Sequence, residues 1–390
     1  MNTQPDRQQS NRQQSNRQQS NRQQSNRIPI TVLTGFLGSG KTTVLNHLVH
    51  QPALSRALVI INEFGEVGLD HMLVTHSAEQ GMVVLSSGCL CCTIRTDLVQ
   101  TLKDVLWRFS IRGERLFDRV LIETTGLADP VPVIHTLAAE PGVMSKYFLD
   151  GVVTVVDAVH GIGTIAAHDE ALRQVAVADK CLLTKQDLVE SSAAELVVAR
   201  LRQINPGVTV QSVTNGQIAA QEILGLGLFD PSAKRPDVSA WLDGYVGDGD
   251  MTELLHNEHD HKHVHDVNRH DGHIRADSFY LEHPVDTRVI EPWFVSLAGA
   301  VGDRLLRLKA VLNTGDRNEG RQDAEPLVIH AVQHVMHPPL RLSSWPDEDR
   351  RSRIVFVTRD VPASTLALFV EQLAVSTGGA GSGYFHNSGG

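Results

Sequence analysis

The chain has 390 residues, of which 41% are hydrophobic and only 5% aromatic, and it carries a formal net charge of −10. That length suits two domains as a prior, and the acidic balance argues against a nucleic-acid-binding surface. No run of 18 apolar residues occurs, which excludes a membrane-spanning helix. Four cysteines in so long a chain are no disulfide framework. Three of them crowd into one tetrapeptide, which points to metal or redox chemistry in a reducing cytoplasm.

In chain order, the N-terminus holds four tandem copies of Arg-Gln-Gln-Ser-Asn from Arg7 to Asn26, with no apolar residue after Pro5. Residues 1–27 are therefore expected to be disordered rather than to form the amphipathic helix of a transit peptide. From 28 to 228 apolar runs alternate with helical patterns, as in parallel α/β units. Strands are predicted over Ile30–Leu33, Ala57–Asn62, Met82–Leu85, Arg119–Glu123, Gly151–Val156 and Lys180–Leu183. Helices are predicted over Thr42–Val49, Arg95–Arg112, Val131–Ala139 and Ser192–Ile204. Several of the strands are apolar at successive residues, as a sheet covered on both faces requires.

Composition shifts after Phe229. Residues 229–273 read as a linker, rich first in Pro, Gly and Asp and then in histidine. A smaller α+β domain is expected over 274–376, with strands at Phe279–Leu281, Arg307–Leu312, Leu327–Gln333 and Ile354–Thr358 and helices at Glu291–Ala300 and Ala363–Leu373. Residues 377–390 form a Gly/Ser-rich tail that reads as flexible.

The first motif is Gly35-Phe-Leu-Gly38-Ser39-Gly40-Lys41-Thr42-Thr43, between a short β-branched run and a helical pattern. It is a complete P-loop in the strand–loop–helix context such a loop needs. Glycines let backbone N–H groups approach phosphate oxygens, the helix N-terminus adds positive dipole, Lys41 reaches the outer phosphates, and the Thr42 hydroxyl is a hard ligand for Mg²⁺. A mere glycine turn would leave Lys-Thr unexplained. Next, Arg119–Gly126 is an apolar strand ending in Glu123 and followed by a glycine. This is where P-loop proteins keep a metal-facing acid and a γ-phosphate-sensing glycine, although most GTPases carry Asp rather than Glu. Thr184-Lys185-Gln186-Asp187 follows another strand. A carboxylate at Asp187 can accept the guanine N1–H and N–H₂ together and would repel adenine, while the Lys185 stem can lie along the base. Usual GTPases have Asn in place of Thr184, which weakens that signal.

Cys89-Leu-Cys91-Cys92 offers three thiolates within four residues, suited to a soft or borderline ion such as Zn²⁺. The fourth position is distant, water or exchangeable. The linker run of His256, His259, His261, His263, His265, His270 and His273, interleaved with carboxylates, suits weak, low-specificity capture of transition metals. A solvated linker is the alternative reading.

These motifs in this order, together with Asn62-Glu63-Phe64-Gly65-Glu66, resemble the CobW-type metallochaperone GTPases, relatives of the nickel-insertion GTPases of urease and hydrogenase. The resemblance runs from Ile28 to about Val375 and includes Val332-Gln-His-Val-Met-His-Pro-Pro and Trp345-Pro-Asp-Glu-Asp-Arg. Glu123 and Thr184 are both usual in that family. The resemblance implies a P-loop parallel-sheet domain with a smaller C-terminal α+β domain, and GTP hydrolysis coupled to delivery of a metal, most often zinc, to a metal-requiring client. Leu127, apolar where Ras-like enzymes carry a water-orienting Gln after the glycine, predicts that the intrinsic hydrolysis is slow. The resemblance makes Gly35–Thr43 the phosphate and Mg²⁺ loop, with Lys41 catalytic, Glu123 the Mg²⁺-side acid and Gly126 the phosphate sensor. Thr184, Lys185 and Asp187 become the guanine side, and Cys89, Cys91 and Cys92 the site of the transported metal. Glu63 falls in the first switch segment, where its carboxylate could touch either metal. GTP or GDP, Mg²⁺ and Zn²⁺ or another transition metal are the implied cofactors. Neither nucleic acid nor membrane is an expected partner, and self-association is left open. A nucleotide-gated metal store without significant turnover, cobalt delivery for cobalamin synthesis and iron delivery for nitrile hydratase also stay open. A P-loop kinase is disfavoured by Asp187.

Overall fold

A computed structural model describes residues 27–63, 82–86, 93–226, 274–314, 326–337, 339–342, 344–345 and 348–375. The first unit runs β1 (Ile28–Thr34), α1 (Lys41–Val49), β2 (Ala57–Glu63), β3 (Met82–Ser86), α2 (Thr93–Arg108), β4 (Ser110–Ile111), β5 (Glu114–Arg115), β6 (Arg119–Glu123), α3 (Val131–Ala139) and α4 (Pro141–Met144). It continues with β7 (Tyr147–Asp157), α5 (Gly161–Ala167), α6 (Asp169–Ala176), β8 (Lys180–Thr184), α7 (Ser191–Ile204) and β9 (Thr209–Val213). Seven strands form one parallel sheet in the order β3-β2-β6-β1-β7-β8-β9. β1 lies between β6 and β7, so the chain departs from it toward both edges. That reversal opens a crevice at the carboxyl ends of the strands, where ligands of such sheets bind.

The apolar runs are continuous because both faces are covered. Ile30 and Val32 of β1 pack with Leu98 and Leu102 of α2 and Ile134 of α3. Leu33 packs on the other face with Val44, Leu45 and Leu48 of α1. α2 ends at Arg108 rather than at the expected Arg112. Ser110–Ile111 instead pairs antiparallel with Glu114–Arg115, turning through Arg112 and Gly113, both at positive φ (53° and 85°). A two-residue hairpin needs left-handed backbone at both central positions, and Gly113 supplies it more readily than Arg112. α5, α6 and β9 have no counterpart among the predicted elements.

The second unit comprises β10 (Ile274–Leu281), α8 (Thr287–Val301), β11 (Leu305–Leu312), β12 (Leu327–Val332), β13 (Val335–Met336), β14 (Leu340–Arg341), β15 (Ser352–Arg359) and α9 (Ala363–Val375). Its sheet is antiparallel, in the order β10-β15-β11-β12-β13, with β14 also on β12. The strand predicted to reach Gln333 stops at Val332, because Gln333 turns the chain at φ 50°. α8 starts four residues before the predicted Glu291, where the Asp286 carboxylate accepts the Arg288 N–H and caps it.

α8 and α9 cover one face of this sheet, with Trp293, Leu297, Leu366 and Val370 in its core. The other face lies on the first unit: Leu306 and Val357 pack with Val175 and Val197. β11 is buried along its whole length, charged residues included. Arg307 donates to the Val177 carbonyl and to Asp179, and Lys309 lies 3.5 Å from the same carboxylate. The two sheets therefore meet across an apolar seam pinned by a buried ion cluster.

Candidate functional site

β1 delivers the chain at Thr34 into the glycine turn, and α1 begins at Lys41. Gly35 is indispensable to that path. Its φ is +143°, and a Cβ there would sit 2.3 Å from the Val155 carbonyl oxygen. Gly40, left-handed at φ 97°, starts the helix. The turn closes on itself: Ser39 N–H donates to the Phe36 carbonyl at 3.2 Å, and the ammonium of Lys41, a residue 8% exposed, donates to the same oxygen at 3.1 Å. The buried Ser39 hydroxyl has no hydrogen-bond partner among the described residues. At the start of α1, the amides of Lys41, Thr42 and Thr43 lack intrahelical acceptors by construction. A phosphate chain fits this donor set.

β6 lies beside β1 with Glu123 opposite Leu33. This register brings Glu123 to the start of α1, where the Thr42 hydroxyl donates to its Oε1 at 3.3 Å. Two hard oxygens thus converge next to the turn, a set suited to Mg²⁺ directly or through water. Beyond them Thr124 donates to Thr34 Oγ1 at 2.7 Å, and the chain crosses the glycine turn at Gly126. A Cβ at Gly126 would come within 2.6 Å of the Leu37 backbone nitrogen, so glycine alone allows this crossing. Leu127, which follows it, is 57% exposed.

On the opposite side, β8 ends in Thr184. Its hydroxyl donates to the Ser39 carbonyl at 2.7 Å and lies 3.2 Å from the Val156 carbonyl. Lys185 takes left-handed backbone (φ 57°), and its ammonium pairs with Asp157 Oδ2 at 2.5 Å. Asp157, which closes β7, also accepts the Val159 N–H at 2.7 Å. Asp187 stands exposed in the short turn Gln186–Leu188, open to a ligand. A cavity of about 230 Å³ lies against the glycine turn, lined by Phe36, Ser39, Asp157, His160, Gln174 and Lys185 among others.

Gly35, Gly38, Ser39, Gly40, Lys41, Thr42 and Thr43 thus meet Glu123, Gly126, Thr184 and Lys185 on one edge of the sheet. Glu63 closes β2 on that edge, two residues past Ile61, the register partner of Glu123. Glu63 in turn pairs in register with Ser86, the last residue of β3. Cys89, Cys91 and Cys92, and all seven histidines from His256 to His273, lie outside the described residues, as do residues 1–26. The described residues hold no group of three or more potential metal ligands. Cys181 is buried in β8, and burial pushes its thiol up to about 12, which leaves it unreactive. Sequence reasoning did not single out Asp157 or Gln174. Each acts through contacts with residues 28 to 48 positions away, and nothing in their own sequence neighbourhood marks them.

Fold and site together define a P-loop nucleotide-binding protein with a parallel α/β sheet, followed by an antiparallel-sheet domain. Residues 29–212 match the family model for the CobW/HypB/UreG nucleotide-binding domain, and residues 274–373 match that for the cobalamin synthesis protein cobW C-terminal domain. The chain belongs to this CobW family. It is 33% identical over 337 residues to the zinc chaperone YjiA of Escherichia coli (strain K12), covering 86% of this chain and 95% of that protein. It is 32% identical over 286 residues to the zinc chaperone CobW of a Sinorhizobium species, covering 66% of this chain and 73% of the relative. The crystal structure of the Zn(II)-bound YjiA GTPase from E. coli is similar at a TM-score of 0.61 and 28% identity, covering 89% of this chain and 99% of that one. No helix among the described residues is long and apolar enough to cross a membrane.

Proposed function

We propose that this protein is a GTP-hydrolysing metallochaperone that carries zinc and passes it to metal-requiring clients according to its nucleotide state. The observation that carries the reading is the strand order β3-β2-β6-β1. It brings Ser86, three positions before Cys89 in the sequence, to the same sheet edge as Glu63, Glu123 and the glycine turn. Relatives named as zinc chaperones and a zinc-bound GTPase of similar fold support both the metal and the nucleotide.

In this reading the amides and Ser39 of the glycine turn bind the phosphates, and Lys41 moves from the Phe36 carbonyl to the outer phosphates. Thr42 and Glu123 hold Mg²⁺, which supplies neutralisation of charge on the transferred phosphoryl group. Asp187 reads guanine, while Thr184 and Lys185 brace its segment. Cys89, Cys91 and Cys92 take the cargo metal as thiolates, so capture releases protons. Glu63 and Gly126 respond to the terminal phosphate, and the cysteine segment between them in sequence changes its hold on zinc. Residues 229–273 serve as a linker whose histidines collect metal weakly. The Thr42–Glu123 contact favours a genuine Mg²⁺-dependent GTPase over a passive metal store.

The test is a competitive zinc titration of the purified protein without nucleotide, with GDP and with a non-hydrolysable GTP analogue. A shift in zinc affinity of tenfold or more between the two nucleotide states is expected. Identical affinities in all three conditions, with no phosphate release from GTP, would leave only a metal-binding module.

A further inference from the structure

Gln174 lies in α6 and is 1% exposed. Its side-chain amide nitrogen donates to the Gly126 carbonyl at 3.2 Å and to the Ala128 carbonyl at 3.0 Å. Both carbonyls belong to the loop that crosses the glycine turn. One residue earlier, Arg173 pairs with Asp129 at 2.8 Å, at the exit of the same loop, where Asp129 also accepts the Val131 N–H that opens α3.

A buried primary amide has two N–H groups to satisfy, and here both go to one loop. An apolar side chain of equal length would pack α6 as well, so packing alone does not account for glutamine. The anchor itself is held firmly. Thr154 of β7 donates to the Gln174 carbonyl at 2.7 Å, Arg307 grips the Val177 carbonyl just past the helix, and Arg359 pairs with Asp169 at its start at 2.6 Å. Because a peptide unit is planar and trans, fixing the Gly126 carbonyl fixes the Gly126–Leu127 peptide plane directly beside the Gly126 N–H, and so restrains the backbone of Gly126 itself.

We propose that Gln174, assisted by the Arg173–Asp129 pair, is a positioning residue that holds the Gly126 loop in its GTP-responsive geometry. The proposal rests on the reading of Gly126 as the residue that senses the terminal phosphate. The side-chain amide of Gln174 is spent on the Gly126 and Ala128 carbonyls. It acts on the loop, so its loss weakens GTP binding and spares GDP.

The experiment measures dissociation constants for GDP and for a non-hydrolysable GTP analogue, both with Mg²⁺, in the full-length protein and its Gln174→Met variant. Methionine keeps length and volume but removes both donors. The GTP-analogue constant should rise about tenfold, as loss of two neutral hydrogen bonds predicts, with the GDP constant within about twofold. Gln174→Glu, which sets a carboxylate oxygen against the two carbonyls, should shift the ratio further in the same direction. A merely structural role would weaken both nucleotides equally, and equal loss or no change overturns the proposal. Should Gln174→Met lose the native circular dichroism, Arg173→Met on the partly exposed pair carries the test. It should raise the same ratio about threefold, and an unchanged ratio overturns the proposal. A wild-type protein that binds neither guanine nucleotide would overturn the functional reading itself, and this proposal with it.

Discussion

The Thr184 hydroxyl joins the Thr184–Asp187 segment to the glycine turn through the Ser39 carbonyl, 2.7 Å away in a buried setting. An asparagine amide could make such a bridge, and the shorter threonine makes it because β8 ends directly behind the turn. Removing the hydroxyl leaves the Ser39 carbonyl without this donor, at a cost of about 1–2 kcal/mol. Thr184→Ala should therefore weaken binding of GDP and of a GTP analogue alike by roughly tenfold, while Thr184→Ser stays near wild type. Fluorescent nucleotide titration checks this, and an alanine variant of unchanged affinity would discard the bridge. Three residues on, Asp187 is exposed. An amide there can donate to an oxygen at purine C2, so Asp187→Asn should move preference from GTP to xanthosine triphosphate. Competition binding with both nucleotides decides it. GTP affinity untouched by the change would mean that another residue reads the base.

On the proposed function, the loop between Glu123 and α3 should set the speed of GTP hydrolysis. In Ras-like enzymes a glutamine directly after the sensing glycine orients the attacking water. Leu127 occupies that position here, is 57% exposed and carries no polar group to do so. The phosphate-side elements are intact: Lys41 sits within the turn and Thr42 meets Glu123. In the proposed reading these groups supply electrostatic stabilisation, and Leu127 supplies no positioning of the water. Intrinsic GTP hydrolysis should run below about one turnover per minute, the range of unassisted GTPases. It should accelerate when bound zinc or a client fixes Glu63 or another group near the water. Steady-state phosphate release with and without one equivalent of zinc measures both terms. Several turnovers per second from the metal-free protein would reveal a complete catalytic set in which Leu127 is irrelevant.

Across the whole molecule, the seam between the sheets couples folding to pH. His330 in β12 and His337 after β13 are both buried, with ring centroids 5.1 Å apart. Burial, reinforced by the positive charge of Arg307, holds His330 well below its usual range; burial is also what takes His337 down to about 4. In the unfolded chain both imidazoles take up protons near pH 6.5. Below that pH the unfolded state binds more protons than the folded one, so stability is complete above about 6.5 and falls as pH drops toward 4. His337 alone accounts for a loss of up to about 3 kcal/mol across that window. Asp179, which burial pushes up but which Arg307, Lys309 and the Val152 N–H together hold below its usual range, loses its contribution only below the ordinary carboxylate range, outside the window. Urea unfolding at pH 7.5 and 5.0 should show the drop in wild type and a smaller one in His337→Gln. Equal slopes in the two proteins would remove the histidines from the account.

By itself the sequence determined the parallel α/β class, the glycine turn, and Glu123, Gly126 and Asp187 as candidates. Local patterns encode these features: β-branched runs, a glycine spacing that only a phosphate loop explains, and acids placed at strand ends. It also foretold α1, α3 and the two helices of the second sheet, where apolar residues recur at helical spacing. It misjudged the end of α2, because a hairpin through Arg112 and Gly113 leaves no mark in hydrophobic period. It missed α5, whose Gly161-Ile-Gly-Thr-Ile-Ala-Ala carries little helix propensity and is held by packing. Only the tertiary structure decided that Thr184 braces the glycine turn, that Asp157 takes the Lys185 ammonium, and that Gln174 holds the Gly126 loop. It alone decided that Arg307 and Lys309, charges in an otherwise apolar strand, are buried against Asp179, the residue before β8 in the first unit. The physical reason is the same in each case. These partners are 28 to 145 residues apart, and a polar side chain's role is set by what the fold brings within hydrogen-bonding or ion-pairing reach of it, which no local pattern records.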